Sequence, residues 1–172
     1  VALVVFLRGL NVGGHRSFRP TLLAARLRHV DAVNVGTAGT FVIRRPIPRA
    51  KLRAEVERSL PFAAEVMICP GREIARLVAR DSFAGHPLRP DVVRFVSVLS
   101  RRPRAEPPLP LTLPADGPWL LKVLARDDRF VLGLYRRQMK VIGYLGRLDG
   151  LFGVPVTTRS WSTITAIGKL LG

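Results

Sequence analysis

Ala32-Val33-Asn34-Val35-Gly36-Thr37-Ala38-Gly39-Thr40-Phe41-Val42-Ile43-Arg44 contains two short β-prone runs around a glycine-bearing turn, and it reads as a hairpin. The segments on either side of it decide the fold. Upstream, residues 1–7 form a continuous valine-rich apolar run suited to a strand buried on both faces. Pro20 then opens a helix, to about residue 29, whose Leu23, Leu27 and Val30 lie on one stripe. Downstream, Pro46 and Pro48 end the hairpin. Leu52, Val56 and Leu60 recur at helical spacing until Pro61, and residues 64–69 read as a strand. Residues 1–70 thus follow the order β-α-β-β-α-β, the ferredoxin-like split unit.

A looser version of the same order follows. Residues 71–91 hold a connecting helix and loop, with Ile74, Leu77 and Val78 facing inward, and residues 92–99 read as a buried strand. Pro103, Pro107, Pro108, Pro110, Pro114 and Pro118 make residues 101–118 an extended surface loop. Residues 119–125 and 129–135 flank Arg126-Asp127-Asp128 as a second hairpin. Residues 138–148 follow as a helix, and residues 154–158 as a short strand. Trp161, Ile164, Ile167 and Leu171 give the stripe of a terminal helix. The expected fold class is α+β: two ferredoxin-like halves, 1–70 and 92–172, the second degenerate and carrying the C-terminal helix.

With 172 residues, 48% of them hydrophobic, the chain is large enough for a real core, which excludes a disordered tail. Cys69 alone excludes a disulfide framework and a multi-cysteine metal site; it reads as a buried inert thiol and fits a cytoplasmic setting. No apolar run approaches the roughly 20 residues that cross a bilayer, and no targeting signal is visible, so no membrane partner is expected. Charge is the strongest compositional feature. Lys and Arg number 28, 24 of them Arg, against 12 Asp and Glu, for a net +16. Such a balance attracts phosphates, although a coding bias toward arginine produces the same composition. The cations are scattered, with doublets at Arg44/Arg45, Arg101/Arg102 and Arg136/Arg137 but no block of five and no interleaved aromatics.

Gly9-Leu10-Asn11-Val12-Gly13-Gly14-His15-Arg16 follows a strand and nearly has P-loop spacing, but His15 replaces the phosphate-reaching lysine and Arg16 the Mg²⁺-binding hydroxyl residue. A Walker nucleotidase is excluded. What remains is a strand-to-helix turn whose Gly13 and Gly14 can aim amide groups at an anion, with Arg8, His15 and Arg16 beside it. Thr157-Thr158-Arg159-Ser160-Trp161-Ser162-Thr163 is the other dense polar cluster, at the junction of a strand and the last helix. Ser160 or Ser162 suits a helix N-cap, while the threonine hydroxyls and Arg159 suit phosphate or carboxylate. His15, His29 and His86 have no metal-binding spacing, and no cofactor, general base or nucleophile stands out.

Leu7-Arg8-Gly9-Leu10-Asn11-Val12-Gly13-Gly14 and 157–163 together resemble the two signature segments of an uncharacterised bacterial family, domain of unknown function 1697 (DUF1697). The resemblance spans nearly the whole chain and implies a small cytoplasmic α+β protein, with no established reaction. Three departures matter: Ala38-Gly39-Thr40 stands where S-G-N is usual, Ser160 and Ser162 replace asparagines, and His15 stands where lysine is common.

The expectation from these residues is an anion-binding protein. Its phosphorylated small molecule or nucleotide-like ligand would sit in a cleft between residues 8–16 and 157–163. Arg8 and Arg159 would supply charge, Gly13 and Gly14 main-chain donors, Thr157 and Thr158 hydroxyls, Asn11 orientation, His15 a weaker anion contact and Trp161 a stacking wall. A nucleic-acid-binding module using the basic surface is the alternative.

Overall fold

In the computed structural model, which describes residues 2–9 and 18–172, the chain begins with β1 (Leu3–Leu7), α1 (Pro20–Arg26), β2 (Ala32–Asn34), β3 (Thr40–Ile43), α2 (Arg49–Ser59), β4 (Val66–Pro70) and α3 (Gly71–Ala79). β1 is apolar and buried at every position because it is the inner seam of a four-stranded sheet, order β2-β3-β1-β4, with every neighbouring pair antiparallel. The opening hairpin forms with Val33 opposite Val42, and Gly36 and Gly39 take positive φ in its turn. Pro20 occupies the first turn of α1, which is shorter than its stripe suggested. It gives way to a single 3-10 turn at Arg28–Val30, ended by Asp31 in the left-handed region and braced by Arg44 at 2.9 Å. Val5, Leu7, Leu23, Phe41, Leu52 and Val56 belong to one core cluster, joining alternate strand positions to the buried stripes of α1 and α2.

The remaining elements are β5 (Val92–Leu99), β6 (Leu111–Leu113), β7 (Leu121–Asp127), β8 (Phe130–Arg136), α4 (Val141–Leu145), α5 (Leu148–Phe152), β9 (Val156–Ser160) and α6 (Trp161–Leu171). They supply a second antiparallel sheet, order β6-β7-β8-β5-β9, with its own core around Phe95, Leu121, Val131, Leu148 and Phe152. The architecture is α+β with two antiparallel sheets. Gly133, at the centre of β8, lets the Phe95 ring lie across it: a Cβ there would fall on that ring and on the Lys122 carbonyl.

Several expected elements are corrected. The proline-rich stretch is not all loop, because Pro110 and Pro114 flank Leu111-Thr112-Leu113, leaving three donors free to pair as the edge strand β6. Arg126 and Asp127 remain within β7, so the hairpin turn is only Asp128-Arg129, with Asp128 at φ 53°. The helix expected at 138–148 is two short helices, α4 stopping at Gly146 and α5 ending at Gly153, whose φ is 70°. The last strand, expected at 154–158, is β9 at Val156–Ser160 and takes in Arg159 and Ser160.

The chain divides into two compact units, Val1–Arg80 with Ser162–Gly172, and Asp81–Trp161. This differs from the expected 1–70, 71–91 and 92–172, since α3 and most of α6 fall in the first unit. The packing explains it: Gly168 of α6 lies against Val78 of α3, and Leu171 against Gly71. No helix among the described residues is long and apolar enough to cross a membrane.

Candidate functional site

Strand alternation places Thr157 and Arg159 on one face of β9 and Thr158 on the other. Thr158 stands opposite Ser97 of β5, and the two hydroxyls are 2.6 Å apart. Arg159 is buried, only 6% exposed, and folds back on its own strand, its guanidinium donating to Thr157 Oγ1 at 2.7 Å and to the Thr158 carbonyl at 2.9 Å. Burial brings this guanidinium down to about 10, leaving it charged at neutral pH. Trp161 meets the Phe83 ring edge-on, centroids 5.1 Å apart. Thr157, Thr158 and Arg159 thus bond within β9 and to β5, while Trp161 packs on Phe83.

Arg8 lies in the first unit, Arg159 in the second. Arg8 is half-buried at the end of β1, where its amide donates to the Glu65 carbonyl at 3.1 Å, and it lines an open hollow of about 290 Å³ with Ala63, Ala64 and Glu65. Gly9 follows at φ 76°. Asn11, Gly13, Gly14 and His15 lie outside the described residues.

The second unit holds a more strongly charged feature that the motif search missed. β5 ends at Leu99, whose amide donates to the Arg129 carbonyl at 2.8 Å, and the Ser100 amide donates to the Pro155 carbonyl at 3.0 Å. Those bonds set the Arg101-Arg102 doublet beside the β7–β8 turn, which carries Arg126 before it and Arg129 within it. The amides of Arg104 and Ala105 both donate to the Phe152 carbonyl, pinning the next stretch so that Glu106 reaches back to Arg126 at 2.5 Å. Between these segments lies a hollow of about 420 Å³ lined by Arg101, Arg102, Arg126 and Arg129 together with Glu106 and Asp128. Four guanidinium groups face two carboxylates, and Arg126 is held by Glu106 and by the Asp128 carbonyl at 2.7 Å. Arg101 and Arg102 are exposed and make no side-chain hydrogen bond or ion pair among the described residues. Arginine forks that carry no carboxylate partner are strong receptors for phosphate oxygens, which accept hydrogen bonds in matching geometry. The sequence signal was a basic doublet closing a buried strand, but its meaning depends on β5 pairing with β8, which no local pattern reveals.

Among the described residues no three His, Cys, Asp or Glu side chains gather as a metal site. A family model described as "Protein of unknown function (DUF1697)" matches residues 1–111. Among solved structures, the conserved bacterial protein SP0830 from Streptococcus pneumoniae is similar with a TM-score of 0.59 at 15% identity, covering 99% of this chain and 97% of that one, a likeness of fold alone. No curated protein matches the chain.

Proposed function

The chain belongs to the DUF1697 family of unknown function, and from that premise we propose that it binds a phosphate-bearing small molecule in the arginine-lined hollow of its second unit. The observation that carries this reading is the pair Arg101 and Arg102, exposed on the hollow wall without partners of their own among the described residues, beside Arg126 and Arg129. Arg126 is already engaged by Glu106 and the Asp128 carbonyl, while the doublet supplies the uncommitted charge. The reading is one of binding. The first sheet's order, β2-β3-β1-β4, supports taking residues 1–70 as a ferredoxin-like scaffold.

Calorimetry with pyrophosphate and with ribose 5-phosphate tests it. The Arg101→Ala plus Arg102→Ala variant removes two exposed side chains and leaves the fold intact; it binds both at least tenfold more weakly than the native chain. Equal affinity in the variant refutes the reading.

A second reading is favoured by Arg8 on the wall of the smaller hollow: an anion held by the loop that Arg8 opens, with Asn11, Gly13, Gly14 and His15 as further contacts. Arg8→Ala then abolishes pyrophosphate binding while the Arg101/Arg102 variant leaves it intact. Thr157, Thr158, Arg159 and Trp161 were expected to complete that site. The buried, inward-bonded Arg159 supports a part in holding the second sheet together better than a direct ligand contact.

A further inference from the structure

We infer that Trp119 is a stacking platform for a nucleobase whose phosphate is taken by Lys122, at the end of the second sheet opposite the arginine hollow. Trp119 stands just before β7 and is partly exposed. Its indole is fixed by Arg136: the guanidinium carbon lies 4.2 Å from the ring centroid, Nε donates to the Trp119 carbonyl at 3.2 Å, and the other end of the fork is anchored on Asp91 at 2.7 Å. Asp91 also faces Arg89 at 3.5 Å, so the local acid is already shared by two arginines. Lys122 is different. Its ammonium sits 4.5 Å from the Trp119 centroid and makes no hydrogen bond or ion pair among the described residues.

Beside the ring is a hollow of about 190 Å³ lined by Trp119, Lys122, Pro87, Arg89, Val92 and Leu134. Arg136 and Lys122 both lie over the indole, and Arg136 is anchored, so a base stacks on Trp119 by displacing the Lys122 ammonium, which no hydrogen bond or ion pair holds among the described residues, onto the nucleotide's own phosphate. The arginine hollow has no aromatic in its lining, so the two places select different chemistry. The ligand class here is a nucleotide, either free or as one unit of a single strand.

Trp119 and Trp161 are the two tryptophans of the chain, so Trp161→Phe leaves Trp119 as the reporter. Its fluorescence is titrated at low salt with AMP, with decathymidylate and with ribose 5-phosphate. AMP and decathymidylate quench it saturably, ribose 5-phosphate does not, and Lys122→Gln weakens both nucleotide titrations by on the order of tenfold. Decathymidylate binding at least tenfold tighter than AMP assigns the site to a single strand; equal affinity assigns it to free nucleotide. Absence of saturable quenching by either, or an unchanged affinity in Lys122→Gln, overturns the inference. So does loss of the signal in Arg101→Ala plus Arg102→Ala, which would move the nucleotide to the other hollow.

Discussion

Removing an acid from the arginine hollow should improve it. Glu106 lies 2.5 Å from Arg126 with its side chain 68% exposed, so it acts as a built-in anion on the guanidinium that a phosphate would use. A doubly charged phosphate on Arg126 would sit about 6 Å from that carboxylate, and in a water-like dielectric the two repel by ~1.4 kcal/mol, reduced to about 0.7 kcal/mol by salt. Glu106→Gln relieves this repulsion and frees the fork, so pyrophosphate should bind about threefold tighter. The loss of one exposed ion pair costs about 1 kcal/mol of stability at most. Calorimetry with pyrophosphate gives the affinity, and urea unfolding of the same sample gives the stability. Unchanged or weaker binding in Glu106→Gln, with the fold intact, would show that the ligand does not lie on these arginines.

Gly133→Ala should destabilise the second sheet by about 3 kcal/mol, the upper end of overpacking, because one obstacle is the Lys122 backbone, which cannot move aside as the Phe95 ring can. Gly143→Ala in α4, where a Cβ meets nothing within 4 Å, should instead stabilise by about 0.5–1 kcal/mol; urea denaturation checks both. Burial lowers the Arg159 pKa to about 10 in the folded chain, so the unfolded chain holds this proton more tightly and stability gains from the group as pH rises above about 10. Unfolding free energies of native protein and Arg159→Gln should therefore run parallel from pH 6 to 9, about three units of ordinary working range, and diverge above 10. Divergence below pH 9 would contradict the assigned cause.

The elements of the first unit were legible because local chemistry and tertiary packing agree there. The valine run of β1 is buried on both faces, Pro20 starts α1, and Gly36 and Gly39 turn the hairpin. In the second unit the cues were weaker or non-local. Pro110 and Pro114 argue against regular structure, yet they leave Leu111, Thr112 and Leu113 able to donate, and an edge strand results. α6 shows a clear apolar stripe, but the stripe does not say which unit it covers; Gly168 against Val78 decides that. For the site, polar density pointed to 157–163, where Arg159 turned inward, whereas the arginine hollow joins residues 101–106 to 126–129 through strand pairing across about thirty positions of sequence.

Crystals grown with tungstate in place of sulfate, with the ion located by its anomalous signal, test the central claim most directly. The account predicts an ordered tungstate within hydrogen-bond distance of Arg101 or Arg102 and of Arg126 or Arg129. Tungstate ordered elsewhere on the molecule, with that hollow holding only water, would contradict it.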